Sequence, residues 1–318
     1  MADDLSDPVA PSRPAPSSEA RAAVSSTLTL VAPLAEQSES FRVWSALKAN
    51  PLSLAGIVLV CGFLLLALVG PYVAPYDPLA QQVEASFQPP SRAHWFGTDS
   101  LGCDVASRVL AGARYSVPTG FVVVAAAALL GVLVGALAGF VGGWADELLM
   151  RATDLFLAFP SLVLAMAIAG ALGPSLPNAL AALSVTWWPA YARLVRAEVL
   201  RLRQAQFVEA ARALGVPPSR ILTTHILPNC MAPVVVQATL DLGGVILTAS
   251  ALSFIGFGAQ PPTPEWGAMI SAGRSYMASY PWVVAFPGGA VFLCVMGFNL
   301  LGDGLRDALD PRGARGGR

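Results

Sequence analysis

The chain has 318 residues, 55% of them hydrophobic and only 12% charged, with a formal net charge of -1 and a mean hydropathy of +0.61. So few charges exclude an ordinary water-soluble fold and point to an all-α, polytopic membrane protein. The balanced charge gives no reason to expect nucleic acid as a partner.

In chain order, residues 1–46 are rich in Ala, Ser and Pro without hydrophobic periodicity, which predicts a disordered tail rather than a signal peptide. Residues 49–76 carry no Asp, Glu, Lys or Arg and predict a first membrane helix over 51–74. An external segment follows to 116. The charge-free run 115–145 predicts a second helix over 117–142, with Gly131, Gly135, Gly139 and Gly143 at four-residue spacing. Such a stripe lets another helix approach closely, from this chain or another subunit.

The next uncharged run, 155–192, would make a helix of roughly 57 Å, too long for one crossing of a ~30 Å hydrocarbon core. It must fold back, and GPSLPN at 173–178 supplies the turn between helices over 154–172 and 177–196. A loop at 197–229 precedes a fifth helix over 230–256, uncharged except for Asp241. After an external loop, the run 275–302 predicts a sixth helix over 282–303. The implied organisation is a tail (1–46), a first span with external segment (47–116), a core (117–306) and a C-terminal tail (307–318).

Sidedness follows from the basic residues, since segments left in the cytoplasm retain Lys and Arg in excess. With the N-terminus inside, 15 of the 19 lie on the cytoplasmic side, and only Arg92, Arg108, Arg114 and Arg274 lie outside. Both termini are therefore expected in the cytoplasm. The four cysteines fall singly, Cys61 and Cys294 in spans, Cys230 at an edge and Cys103 outside, so no disulfide framework or metal site is suggested.

The loop has helix punctuation. AEVLRLRQAQFVEAARAL at 197–214 is rich in helix formers, and Gly215 is a natural C-terminal stop. Pro217 and Pro218 suit the first turn of a new, short helix, which Pro228 closes before the membrane. A short amphipathic helix held at the membrane surface is shaped to enter a groove on a soluble partner.

This stretch resembles the EAA loop of permease subunits of bacterial ABC importers. Glu209, Ala210, Ala211 and Gly215 fall at the motif's spacing, followed by Leu227 and Pro228; HILPN, His225 to Asn229, is the form typical of the peptide and nickel branch. The resemblance implies a type I importer permease fold in the bacterial inner membrane. It also implies that residues 216–226, with Pro218 and Arg220, couple a separate ATPase to the spans. Read alone, Glu209 could equally be a surface charge paired with Arg212 three residues on. HWFGTDSLGCDVASRVLAGARYS at 94–116 is similar to the external signature of the same branch, matching at His94, Phe96, Gly97, Thr98, Asp99, Gly102 and Asp104. It departs at Trp95, where Pro is usual, and at Cys103, where Arg is usual.

The implied partners are a homologous second permease, two ATP-binding subunits or one fused ATPase, an external substrate-binding protein and the lipid bilayer. A P-loop needs a lysine after glycine, and the only lysine, Lys48, lies in SALKANP. ATP and Mg are accordingly expected in the partner ATPase, with no cofactor in this chain. No nucleophile, base and orienting group can be assembled, so no enzyme activity is expected. The branch resemblance implies short peptides as the substrates, with nickel, glutathione or another small solute as the alternative. Asp241, roughly 15 Å into the fifth helix, is expected to face a cavity or partner, which makes it a translocation-path candidate; bonding to neighbouring Thr, Gln or backbone groups, or facing the partner permease, is the alternative. In an ion-coupled secondary transporter it would instead carry a proton. His94 reads as a loop residue, and Trp187, Trp188 and Tyr191 as an interfacial belt.

Overall fold

The computed structural model describes residues 44, 45, 47, 48 and 50–309. The chain divides into a unit ending at Trp44 and a second beginning at Ser45, and the membrane-spanning candidates all lie in the second. Most of the expected N-terminal tail, and residues 310–318 of the expected C-terminal one, lie outside the described residues.

The described chain is helical. The helices are α1 (Pro51–Val73), α2 (Val105–Val141), α3 (Gly143–Leu157), α4 (Ser161–Leu172), α5 (Leu176–Leu202), α6 (Gln206–Ala213), α7 (Pro218–Ile255), α8 (Trp266–Gly273) and α9 (Trp282–Leu309). Four of them, α1, α2, α7 and α9, are long and apolar enough to cross a membrane, and α3 with α4 would count as a fifth, broken span. At 27 residues α5 is long enough, but Trp187, Trp188, Pro189 and three arginines dilute its apolar surface.

Several expected boundaries are corrected. The second helix starts at Val105 rather than 117 because the Asp104 side chain accepts from the Ser107 amide and caps it; the end of the external signature is thus helical. The third helix does not run unbroken from 154. Pro160 interrupts it, and α3 meets α4 at 88°. The segment expected as one helix over 197–214 is split where α5 ends at Leu202 and α6 begins at Gln206. Pro228 does not close a short helix either. Pro218–Ile255 is continuous, and a π-helical turn at Ile221–Ile226 accommodates the proline, whose missing N–H and bulky ring would disrupt regular α-helical bonding. The last helix extends beyond 303 to Leu309.

The small-residue stripe packs inside the chain, α2 against α5. A Cβ at Gly131 would collide with the Tyr191 Cβ, one at Gly135 with the Ala192 carbonyl, and one at Gly139 would lie 3.0 Å from the Arg196 carbonyl. Gly143 takes no part: nothing lies within 4 Å of it, and its φ of +59° belongs to the turn into α3. This contact buries Tyr191, which is fully enclosed, so the expected aromatic belt loses that member to the core.

Candidate functional site: the coupling loop and the faces it connects

Between α5 and α7 the chain exposes a small helix on a hinge. Val208 and Ala211 turn the buried side of α6 inward, where Ile221 and Ile226 of the π turn belong to the same core. The opposite side leaves Phe207, Glu209, Ala210, Arg212 and Leu214 exposed, with Leu214 83% accessible. This face therefore leaves apolar side chains uncovered with charges between them.

Gly215 forms the hinge at φ +75°. Its amide donates to the Arg212 carbonyl at 2.9 Å and the Val216 amide to the Ala211 carbonyl at 3.1 Å, the paired bonds of a Schellman cap. Pro217 is extended and Pro218 opens α7, as expected. Among the described residues Glu209 makes no ion pair with Arg212; it lies in the first turn of α6, where a negative charge suits the helix dipole. Arg220 is exposed, His225 and Leu227 are half-buried, and Pro228 is exposed. The Asn229 side chain donates to the His225 carbonyl at 2.7 Å. Thus Glu209, Ala210, Gly215, Pro218, Arg220 and Pro228 share the outer surface, while Ala211 anchors it.

Asp241 lies midway along α7. Gln237 Nε2 donates to its Oδ1 at 2.8 Å, which is the neighbour-bonding alternative in part. The Tyr191 hydroxyl lies beside the carboxylate, yet that hydroxyl and Asp241 Oδ2 both lack a well-formed hydrogen bond. That second oxygen is buried against the Tyr191 hydroxyl rather than open to solvent. Over the preceding two turns, Pro233, Val236, Gln237 and Leu240 line a recess with Leu194 and Arg306.

The external signature proves to be an interlocking scaffold. His94 Nδ1 lies 2.9 Å from Asp104 Oδ1, while Asp104 Oδ2 accepts from the Ser107 amide and hydroxyl at 2.8 and 2.7 Å. Thr98 joins the segment to itself, accepting from the Gln88 amide at 2.8 Å and donating to the Ala85 carbonyl at 2.5 Å. Asp99 accepts from the amides of Leu101 and Cys103 and lies 3.6 Å from Arg108. Gly97 and Gly102 have φ near +72° and +73°, and a Cβ on either would strike backbone at Gln88 or Gln82. Phe96 stacks on Phe286 of α9 at 4.0 Å, and Trp282 Nε1 donates to the Thr98 carbonyl at 3.2 Å. Cys103 is fully buried; burial, then the nearby Asp99, pushes its thiol above the usual range.

Sequence reasoning assigned no role to the individual residues of a second cluster, in PPTPEWGAMISAGR at 261–274. Glu265 caps α8, accepting from the amides of Gly267 and Ala268 at 3.0 and 2.9 Å and from the Ser116 hydroxyl at 3.1 Å. Trp266, fully buried, donates its indole N–H to the Val109 carbonyl at 3.0 Å. Burial pushes the Glu265 carboxyl up, against the donors that favour its charged form. It missed as well the ion pairs that hold α3 to α5, Asp146 with Arg196 at 2.5 Å and Asp154 with Arg193 at 2.7 Å. The signal was present, acidic residues after the second span and basic ones before the loop, but their partners are 39 and 50 positions apart.

Comparison with known proteins places this architecture. Residues 131–315 match the family described as binding-protein-dependent transport system inner membrane component, and residues 40–90 match the N-terminal TM domain of oligopeptide transport permease C. The chain is 48% identical over 270 residues to the probable D,D-dipeptide transport system permease protein of Escherichia coli, covering 85% of this chain and 90% of that one. It is 47% identical over 266 residues to the dipeptide transport system permease protein of Alkalihalophilus pseudofirmus, covering 84% and 88%. With the glutathione transport system permease protein of Escherichia coli O157:H7 it shares 42% over 293 residues, covering 92% and 97%. The chain therefore belongs to the binding-protein-dependent inner-membrane transport components, the multi-pass permease subunits of ABC importers.

Proposed function

We propose that this chain forms half of the translocation path for short peptides in an ATP-driven importer, with six crossings and both termini in the cytoplasm. The observation that carries the reading is the hinged loop: an exposed α6 whose direction is set by Gly215 and whose buried side is continuous with the core of α7. A partner that pulls on α6 also moves α7, and α7 carries Asp241. In this reading α5 is a crossing despite its diluted apolar surface, and α3 with α4 is another. Partners are a second, homologous permease, two ATP-binding subunits or a fused pair that hold ATP and Mg, and an external binding protein that selects the solute. Peptide is the favoured substrate class because relatives 47–48% identical to this chain include dipeptide permeases; the glutathione relative supports a related alternative, a tripeptide-like solute.

The mechanism is alternating access. Closure of the ATP-binding subunits moves Glu209 to Arg220 as a lever and opens the path outward, and hydrolysis resets it. Asp241 faces the path in this reading, where its carboxylate would meet a peptide's cationic amino terminus once the buried oxygen beside Tyr191 is uncovered by the movement of α7. The test is uptake by the complete complex in proteoliposomes. Uptake should need ATP and the ATPase, and should persist when the proton gradient is collapsed. Gradient-driven uptake by this chain alone would overturn the reading.

A further inference from the structure

The lever needs a fulcrum, and the structure assigns one to Arg203: we infer that it is a positioning residue that ties the coupling loop to the cytoplasmic end of α2. This rests on the docking role proposed above for the loop. Arg203 sits in the break between α5 and α6, where the amides of Arg203, Gln204 and Ala205 still turn back onto Val199, Arg201 and Leu202 at 2.9, 3.3 and 3.0 Å but the regular helical ladder is interrupted. Its Nη1 donates to the Gly139 carbonyl at 2.7 Å, and its guanidinium lies over the Phe140 ring, 5.9 Å from the centroid.

The receiving group explains the choice of residue. The last four carbonyls of a helix have no intrahelical donor, and α2 ends at Val141. The Gly142 amide returns to Ala138 at 3.1 Å, but among the described residues no backbone amide outside α2 reaches Gly139. Arg203 fills that vacancy with a cation at the negative end of the helix dipole, where such a charge is favoured. A lysine could supply the charge but not the planar group that donates while lying over an aromatic ring.

The tie is placed where force must pass. Below it, α6 and Gly215 form the proposed docking surface. Above it, the Gly131, Gly135 and Gly139 stripe locks α2 to α5, and Asp146 with Arg196 holds the adjoining corner. With Arg203 in place, tilting α6 turns α2 and α5 together. Without it, the three-residue joint at 203–205 can flex and absorb the motion.

The experiment uses the complete complex with Arg203→Ala, Arg203→Lys and Phe140→Leu, and Gly215→Val as a control on the loop. Readouts are ATPase co-purification, hydrolysis stimulated by loaded binding protein, and solute taken up per ATP. Arg203→Ala should keep the ATPase bound and hydrolysing while uptake per ATP falls about tenfold, the equivalent of one charge-assisted hydrogen bond. Arg203→Lys should recover part of the loss, and Phe140→Leu should fall between. Unchanged uptake per ATP in Arg203→Ala, with Gly215→Val still defective, would overturn the role of Arg203 alone. Equal loss of the ATPase from both Arg203 variants would also overturn it, by making the residue part of docking or folding. Normal co-purification and coupling in Gly215→Val would instead remove the docking reading itself.

Discussion

The Val216 amide reaches back across Gly215 to the Ala211 carbonyl at 3.1 Å, so the direction of the chain leaving α6 is set by one left-handed residue. Nothing lies within 4 Å of a Cβ built on Gly215. Its requirement is therefore conformational and not spatial. Gly215→Val should cost roughly 1 kcal/mol or more in the left-handed region, misdirect the start of α7 and release or uncouple the ATPase. Membrane insertion should be unaffected, because Gly215 lies outside every spanning candidate. Co-purification and stimulated ATP hydrolysis measure this, with Glu209→Lys expected to give a weaker defect by reversing a charge in the first turn of α6.

Asp104 performs two structural tasks at once, capping α2 through Ser107 and meeting His94. Asp104→Ala should destabilise the external segment by about 1–2 kcal/mol. Limited proteolysis of the purified protein should then cleave between residues 75 and 104 faster than in the unmodified protein. Asp104→Asn, which keeps an acceptor for the Ser107 amide, should be milder. Equal cleavage in Asp104→Ala and wild type would contradict the scaffold role.

Gly135 faces the Ala192 carbonyl too closely for any side chain. Gly135→Ala should separate α2 from α5 at a cost of about 1–3 kcal/mol, the usual range for overpacking, and lower the thermal midpoint of the purified complex. Gly143→Ala, next to open space, should not affect this helix contact; its cost comes from the positive φ alone. A comparable loss of α2–α5 cross-linking in both variants would argue against the packing assignment.

Asp241 has one oxygen held by Gln237 and one without a well-formed bond. Asp241→Asn should change transport while the complex still assembles, with a larger effect on a free peptide amine than on an N-acetylated analogue. Unchanged uptake of every solute tested would remove the residue from the path.

What the sequence alone determined was the chemistry of segments. Charge-free runs longer than a bilayer's thickness mark membrane-spanning candidates because unpaired charges are costly in hydrocarbon. The turn at 173–178 and the stop at Gly215 were legible because glycine and proline restrict φ and hydrogen bonding locally. The tertiary structure decided what depended on partners far away in the chain. It made Tyr191 a core residue because a glycine stripe 50 to 60 positions earlier leaves room for it. It let Pro228 sit inside a continuous helix because a π turn re-routes the backbone bonds. It assigned Arg203 to the carbonyl of Gly139, 64 residues away, a pairing no local pattern contains: which orphan carbonyl an arginine reaches is set by how two helices pack.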